Sequence, residues 1–164
     1  MKTLFKAIVP LSFGFILTLS QCSVLKLDVP GAAGTWSGTW NNTTFNSTGS
    51  ATMVLTVDSA AKTLSTVTTL GGNVFGQGNN PPAQTVTGTY TDSLITLSST
   101  TALFGAVTLT IDNMGKISGT AHPSGFDSVS VSGTASPTKL DMTYTIYQPA
   151  GTVYATGTLT FTKQ

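Results

Sequence analysis

The sequence has no glutamate and no arginine, a single cysteine, Cys22, and a single histidine, His122. Only 8% of its 164 residues are charged, as seven Lys and six Asp. Each shortage excludes something. With no arginine and only scattered lysines there is no basic patch for a nucleic-acid backbone, so no nucleic acid is expected as a partner. A sole cysteine forms no disulfide within the chain. A lone histidine followed by proline, with no second His, Glu or free Cys to join it, falls short of a metal site, so neither metal nor cofactor is expected and His122 reads as a solvated loop side chain. No triad or carboxylate pair can be named either, because Asp58, Asp92 and Asp112 fall in stretches where aspartate serves turns. On this inventory no catalytic residue is assigned, and the chain is expected not to be an enzyme.

Long hydrophobic runs are also scarce, with one exception at the start. In MKTLFKAIVPLSFGFILTLSQCS, Lys2 and Lys6 precede an apolar run from Ala7 to Leu19. That is a charged n-region followed by an h-region, too short for an ordinary membrane span. The run ends in Leu19-Ser20-Gln21-Cys22. This resembles a bacterial lipoprotein signal, whose lipobox places small residues between a leucine and the lipidated cysteine. The resemblance implies that 1–21 is a signal peptide, a helix removed by cleavage before Cys22. It also implies a diacylglyceryl thioether on Cys22 and palmitate-like acylation of the new amine. Ser23, where Asp would direct retention elsewhere, implies the bacterial outer membrane, with the periplasmic or cell-surface face left open. The membrane is then a partner through the N-terminal lipid, at ~0.8 kcal/mol per buried methylene. A plain secretory leader with an incidental cysteine is the alternative. Losing Lys2 and Lys6 leaves five of seven Lys against six Asp, a nearly neutral protein with little electrostatic steering.

Residues 22–33 carry Pro30 and Gly31 without alternation and read as a lipidated tether. From 34 to 164 the chain reads as one all-β domain. Threonine alternates with apolar residues at period two in TMVLTVD, VTLTID, LDMTYTIY and YATGTLTFT, the pattern of half-buried strand. Strands are predicted at 34–40, 50–58, 62–70, 85–91, 94–100, 106–112, 116–121, 128–135, 139–147 and 151–162. The connections are too short for crossover helices, so neighbours pair antiparallel in an up-and-down meander of about 8–10 strands. Closing it into a barrel, wholly or nearly, removes exposed edges.

One pentapeptide recurs as WSGTW, VTGTY, ISGTA, VSGTA and ATGTL. Its glycines, Gly38, Gly88, Gly119, Gly133 and Gly157, share a face with the apolar ends and are expected to point inward. They suit points of sharp curvature, or room for a ligand. The inverse pattern, apolar side to lipid and Thr to a pore, would make a membrane barrel; its strands should run ~9–11 residues between aromatic girdles.

In a meander, connections leaving even strands gather at one end and those leaving odd strands at the other. The even connections are short and turn-like. Four odd ones, NNTTFNSTG, GGNVFGQGNNPPAQ, TALFG and HPSGFD, each contain a phenylalanine: Phe45, Phe75, Phe104 and Phe126. These four are the candidate ligand-binding residues, gathered at one rim. Alternatively, each folds back as ordinary core. The N-terminus enters at the opposite end, so the rim points away from the anchor.

Gly34-Thr35-Trp36-Ser37-Gly38-Thr39-Trp40 contains G-x-W twice, and with the meander it resembles calycins: lipocalins, fatty-acid-binding proteins and avidins. The resemblance implies that Trp36 packs across the closed end. Two functions remain. One is a lipoprotein carrying a small apolar ligand inside the barrel. The other is a structural or adhesive surface lipoprotein whose Phe loops contact a macromolecule. The oligomeric state is open.

Overall fold

The computed structural model describes residues 28–74 and 80–164. The expected signal helix, Cys22 and Phe75 lie outside the described residues. The strands are β1 (Gly34–Asn42), β2 (Ser47–Asp58), β3 (Thr63–Leu70), β4 (Gln84–Tyr90), β5 (Leu94–Thr101), β6 (Gly105–Asp112), β7 (Lys116–His122), β8 (Ser128–Ala135), β9 (Lys139–Tyr147) and β10 (Val153–Lys163). Each pairs antiparallel with the next, and β1 pairs with β10 from Trp36↔Lys163 to Asn42↔Gly157, so the ten strands close a barrel. The all-β meander expected from threonine periodicity is therefore the observed fold.

Most apolar side chains face in, and most Ser and Thr face out. Along β2, Ala51 and Met53 are buried while Thr52 and Thr56 are exposed. Trp36, Ile117, Ile146 and Phe161 are among the most deeply buried side chains. The inverse pattern, with a threonine-lined pore, is not what the chain adopts.

The even-numbered connections are tight because their own side chains cap them. Asp58 Oδ1 accepts the backbone N–H groups of Ala60 and Ala61, both at 2.9 Å. Asp112 Oδ1 does the same for Met114 and Lys116, also at 2.9 Å. These are the local turns that Asp favours.

Part of the stretch expected as a tether belongs to the barrel. Val29, 3% exposed, packs against Leu64, Tyr90 and Ile95 beneath the even-turn end. Asp28 Oδ1 accepts the Gly31 N–H at 3.0 Å, and Pro30–Ala32 forms one turn of 3₁₀ helix. The Trp36 indole N–H donates to Ala32 O at 3.0 Å, and the Lys163 ammonium donates to Gly31 O. Proline and glycine break strand periodicity, but here they shape a single turn that floors the barrel. Trp36, 1% exposed, lies across that end as the calycin resemblance implies.

The pentapeptide glycines sit opposite large inward residues: Gly119 pairs with Leu109 and Val131, and Gly133 with Ile117 and Met142. A Cβ on Gly119 would lie 2.5 Å from the Thr108 carbonyl oxygen and 2.9 Å from Leu109 Cα. One on Gly133 would run into the Asp141 carbonyl. In both cases the obstacle is a neighbouring backbone, which cannot swing aside, so the strands lie this close only because the side chain is missing. Gly119→Val and Gly133→Val should each destabilise the barrel by roughly 1–3 kcal/mol, read as a lowered urea midpoint. Unchanged midpoints would contradict this packing.

Candidate functional site

The barrel is not filled by its side chains. An internal cavity of about 600 Å³ runs from the floor at Val29 and Trp36 to the odd-numbered loops. Leu55, Leu97, Leu109, Val131, Met142 and Leu159 are among the apolar residues of its wall. The volume lies within the ~300–1,000 Å³ typical of small-molecule sites.

Three of the four candidate phenylalanines, Phe45, Phe104 and Phe126, line this cavity at the odd end. The fourth, Phe75, is outside the described residues. Local geometry explains each position. Asn42 Oδ1 accepts the N–H groups of Thr44 and Phe45, both at 3.0 Å, and shapes the β1–β2 loop. Thr43 Oγ1 donates to Thr156 O at 2.9 Å, and Thr44 Oγ1 accepts the Thr156 N–H at 3.0 Å, tying that loop to β10. Phe45 is consequently held at the rim, 53% exposed. Phe104 goes the other way, packing against the Trp36–Trp40 cluster on one side and the Ala121–Ile146 cluster on the other. Phe126 packs on the second of these clusters. Its loop is crossed by a hydrogen bond from His122 Nδ1 to Asp127 O at 3.0 Å. The lone histidine thus ties a loop together.

Sequence reasoning missed Tyr154. Strict alternation from Ala155 and Gly157 turns it outward, but the pairing of β10 with β9 slips between Val153 and Ala155. The bulge brings Tyr154 to the cavity mouth, 39% exposed. Its ring lies between two of the predicted phenylalanines, 5.2 Å from the Phe45 centroid and 5.2 Å from that of Phe126, tilted against both. A bulge leaves little trace in periodicity, although the unpatterned QPAGTV before it was a signal.

Two further contacts shape the mouth. Trp40 Nε1 donates to Gly71 O at 2.8 Å, pinning the start of the long β3–β4 loop, and buried Val74 from that loop packs into the Trp40 cluster. β4 and β5 pair only from Gly88↔Leu97 to Tyr90↔Ile95. Above that point side chains take over: the Thr87 N–H donates to Ser99 Oγ at 2.8 Å, and buried Gln84 accepts the Leu103 N–H at 2.8 Å. On the far wall the Tyr144 hydroxyl donates to Asn41 O at 3.2 Å, with its ring over Gly157. Burial pushes this phenol above its ordinary pKa, so it stays neutral.

The chain matches no protein-family model and no curated protein. Among solved structures it is similar to Rv2717c from M. tuberculosis, with a TM-score of 0.58 and 8% identity over 82% of this chain and 93% of that one. It is also similar to the S-type phycobiliprotein lyase CPES from Guillardia theta, with a TM-score of 0.51 and 10% identity over 83% and 90%. Such likeness carries the fold alone, and it agrees with the closed antiparallel barrel described above. It also corrects one expectation. The chain was read as a non-enzyme because it offers no triad or carboxylate pair, yet one barrel of this shape is a lyase, so that inventory does not decide the matter.

The rim phenylalanines differ in what they support. Phe45→Ala should change stability by less than about 1 kcal/mol, as exposed positions do. Phe104→Ala should cost about 2–4 kcal/mol by urea denaturation, because it empties a site between two packed clusters. Equal costs would contradict the two placements.

Proposed function

We propose that this protein is a lipid-anchored bacterial lipoprotein that binds a small apolar ligand inside its barrel, entering past Phe45, Phe104, Phe126 and Tyr154. The observation that carries the ligand reading is the cavity itself, about 600 Å³ with a largely apolar wall and an aromatic mouth. Empty space of that size beside apolar side chains forfeits dispersion contacts that a ligand restores.

The anchor reading rests on Lys2, Lys6, the apolar run and Cys22 in LSQC. Lipid on Cys22 would attach the protein to the outer membrane by the floor end, since Asp28 and Val29 lie there. The mouth would then face away from the bilayer and receive ligand from solution or from a partner.

Titration with the fluorescent probe N-phenylnaphthylamine tests the ligand reading. The protein should bind it saturably, and Phe45→Ser combined with Tyr154→Ser should weaken binding at least tenfold, ~1.4 kcal/mol, with an unchanged urea midpoint. A wild-type protein that binds no probe would contradict the reading and leave the rim as a contact surface for a macromolecule. For the anchor, Cys22→Ala should move the protein from the detergent to the aqueous phase on partitioning. A variant that stays in the detergent phase would overturn it.

A further inference from the structure

We infer that the cavity selects uncharged apolar ligands and rejects the anionic forms of similar molecules. This rests on the ligand reading above and specifies its chemistry.

The wall contains no Lys, Asp or His among the described residues. The undescribed stretch 75–79, FGQGN, has none to add. The charged side chains lie elsewhere. Asp58 and Asp112 cap even-end turns, and Lys139 pairs with Asp141 on the outer surface. Lys163 pairs with Trp36 across the seam, and its ammonium is bound to the Gly31 carbonyl under the floor. A carboxylate or sulfonate entering this barrel would give up its water and meet no cation among the described residues.

The polar groups present are neutral, and two have already committed their protons. Thr66, buried on β3, donates through Oγ1 to Val86 O at 3.3 Å. Tyr144, across the barrel on β9, donates to Asn41 O. A hydroxyl that has given its proton away keeps lone pairs to accept with. Both groups line the cavity, so what they offer a ligand is an acceptor. These two oxygens can meet a ligand O–H or N–H, and they have no proton left for an anion, which has only lone pairs to present. Thr68, one step along the inward face of β3, adds a hydroxyl beside Thr66.

Three probes with the same two aromatic ring systems test the inference: N-phenylnaphthylamine, anilinonaphthalenesulfonate, and the neutral sulfonamide of the latter. At neutral pH the amine and the sulfonamide should each bind at least tenfold tighter than the sulfonate. A sulfonate that binds within tenfold of the amine overturns the selectivity. A sulfonamide as weak as the sulfonate also overturns it, since size and not charge would then be the barrier. If none of the three binds, the ligand reading itself falls, a result distinct from the other two.

Discussion

Closure of ten strands into one ring is the constraint on which the rest of this structure depends. The seam between β1 and β10 leaves no free edge, and it sets a circumference. Barrel diameter grows with strand number, and about eight strands already enclose room for side chains or one small ligand. Ten strands enclose more. The inward residues here do not make up the difference, and a cavity of about 600 Å³ remains between them. Gly119 beside Thr108 and Gly133 beside Asp141 let adjacent backbones approach as the ring closes. Of the two alternatives at the level of sequence, close approach of neighbouring strands is what these glycines show, since none of them lines the cavity.

The barrel's two ends follow from how its connections are built. The even end is sealed by Asp-capped turns, Trp36 and the Val29 turn, each secured by local hydrogen bonds. The odd end is held by side chains reaching between elements: Thr43 and Thr44 to β10, Trp40 to Gly71, Gln84 to Leu103. Such contacts keep a mouth in shape without filling it. A scaffold with a rigid floor and an aromatic rim suits binding, and the kinship in fold with a lyase means that the same architecture also serves an enzyme.

Much of this was legible in the sequence. Threonine alternation is a strong period-two signal, and the predicted strands match the observed ones to within a few residues. The sorting of loops by strand parity brought Phe45, Phe104 and Phe126 to one end, where they line the cavity mouth. What was not legible breaks the period. Tyr154 owes its position to a bulge, which shifts a side chain to the other face without altering composition. Val29 lies in a segment whose proline and glycine read as a tether until a floor is there to pack against. Gln84 reads as the end of a polar loop, yet it is buried because β4 and β5 part above Gly88 and its amide bridges the gap.

Intermolecular nuclear Overhauser effects separate a small apolar molecule held within the barrel from one lying on its surface. With N-phenylnaphthylamine bound, the account predicts contacts to the inward methyl groups of Leu97, Leu109, Ile117 and Val131, all on the cavity wall. The methyl groups of Val54 and Val67, which face solvent, should show none. Contacts confined to Val54, Val67 or other outward residues would contradict the account.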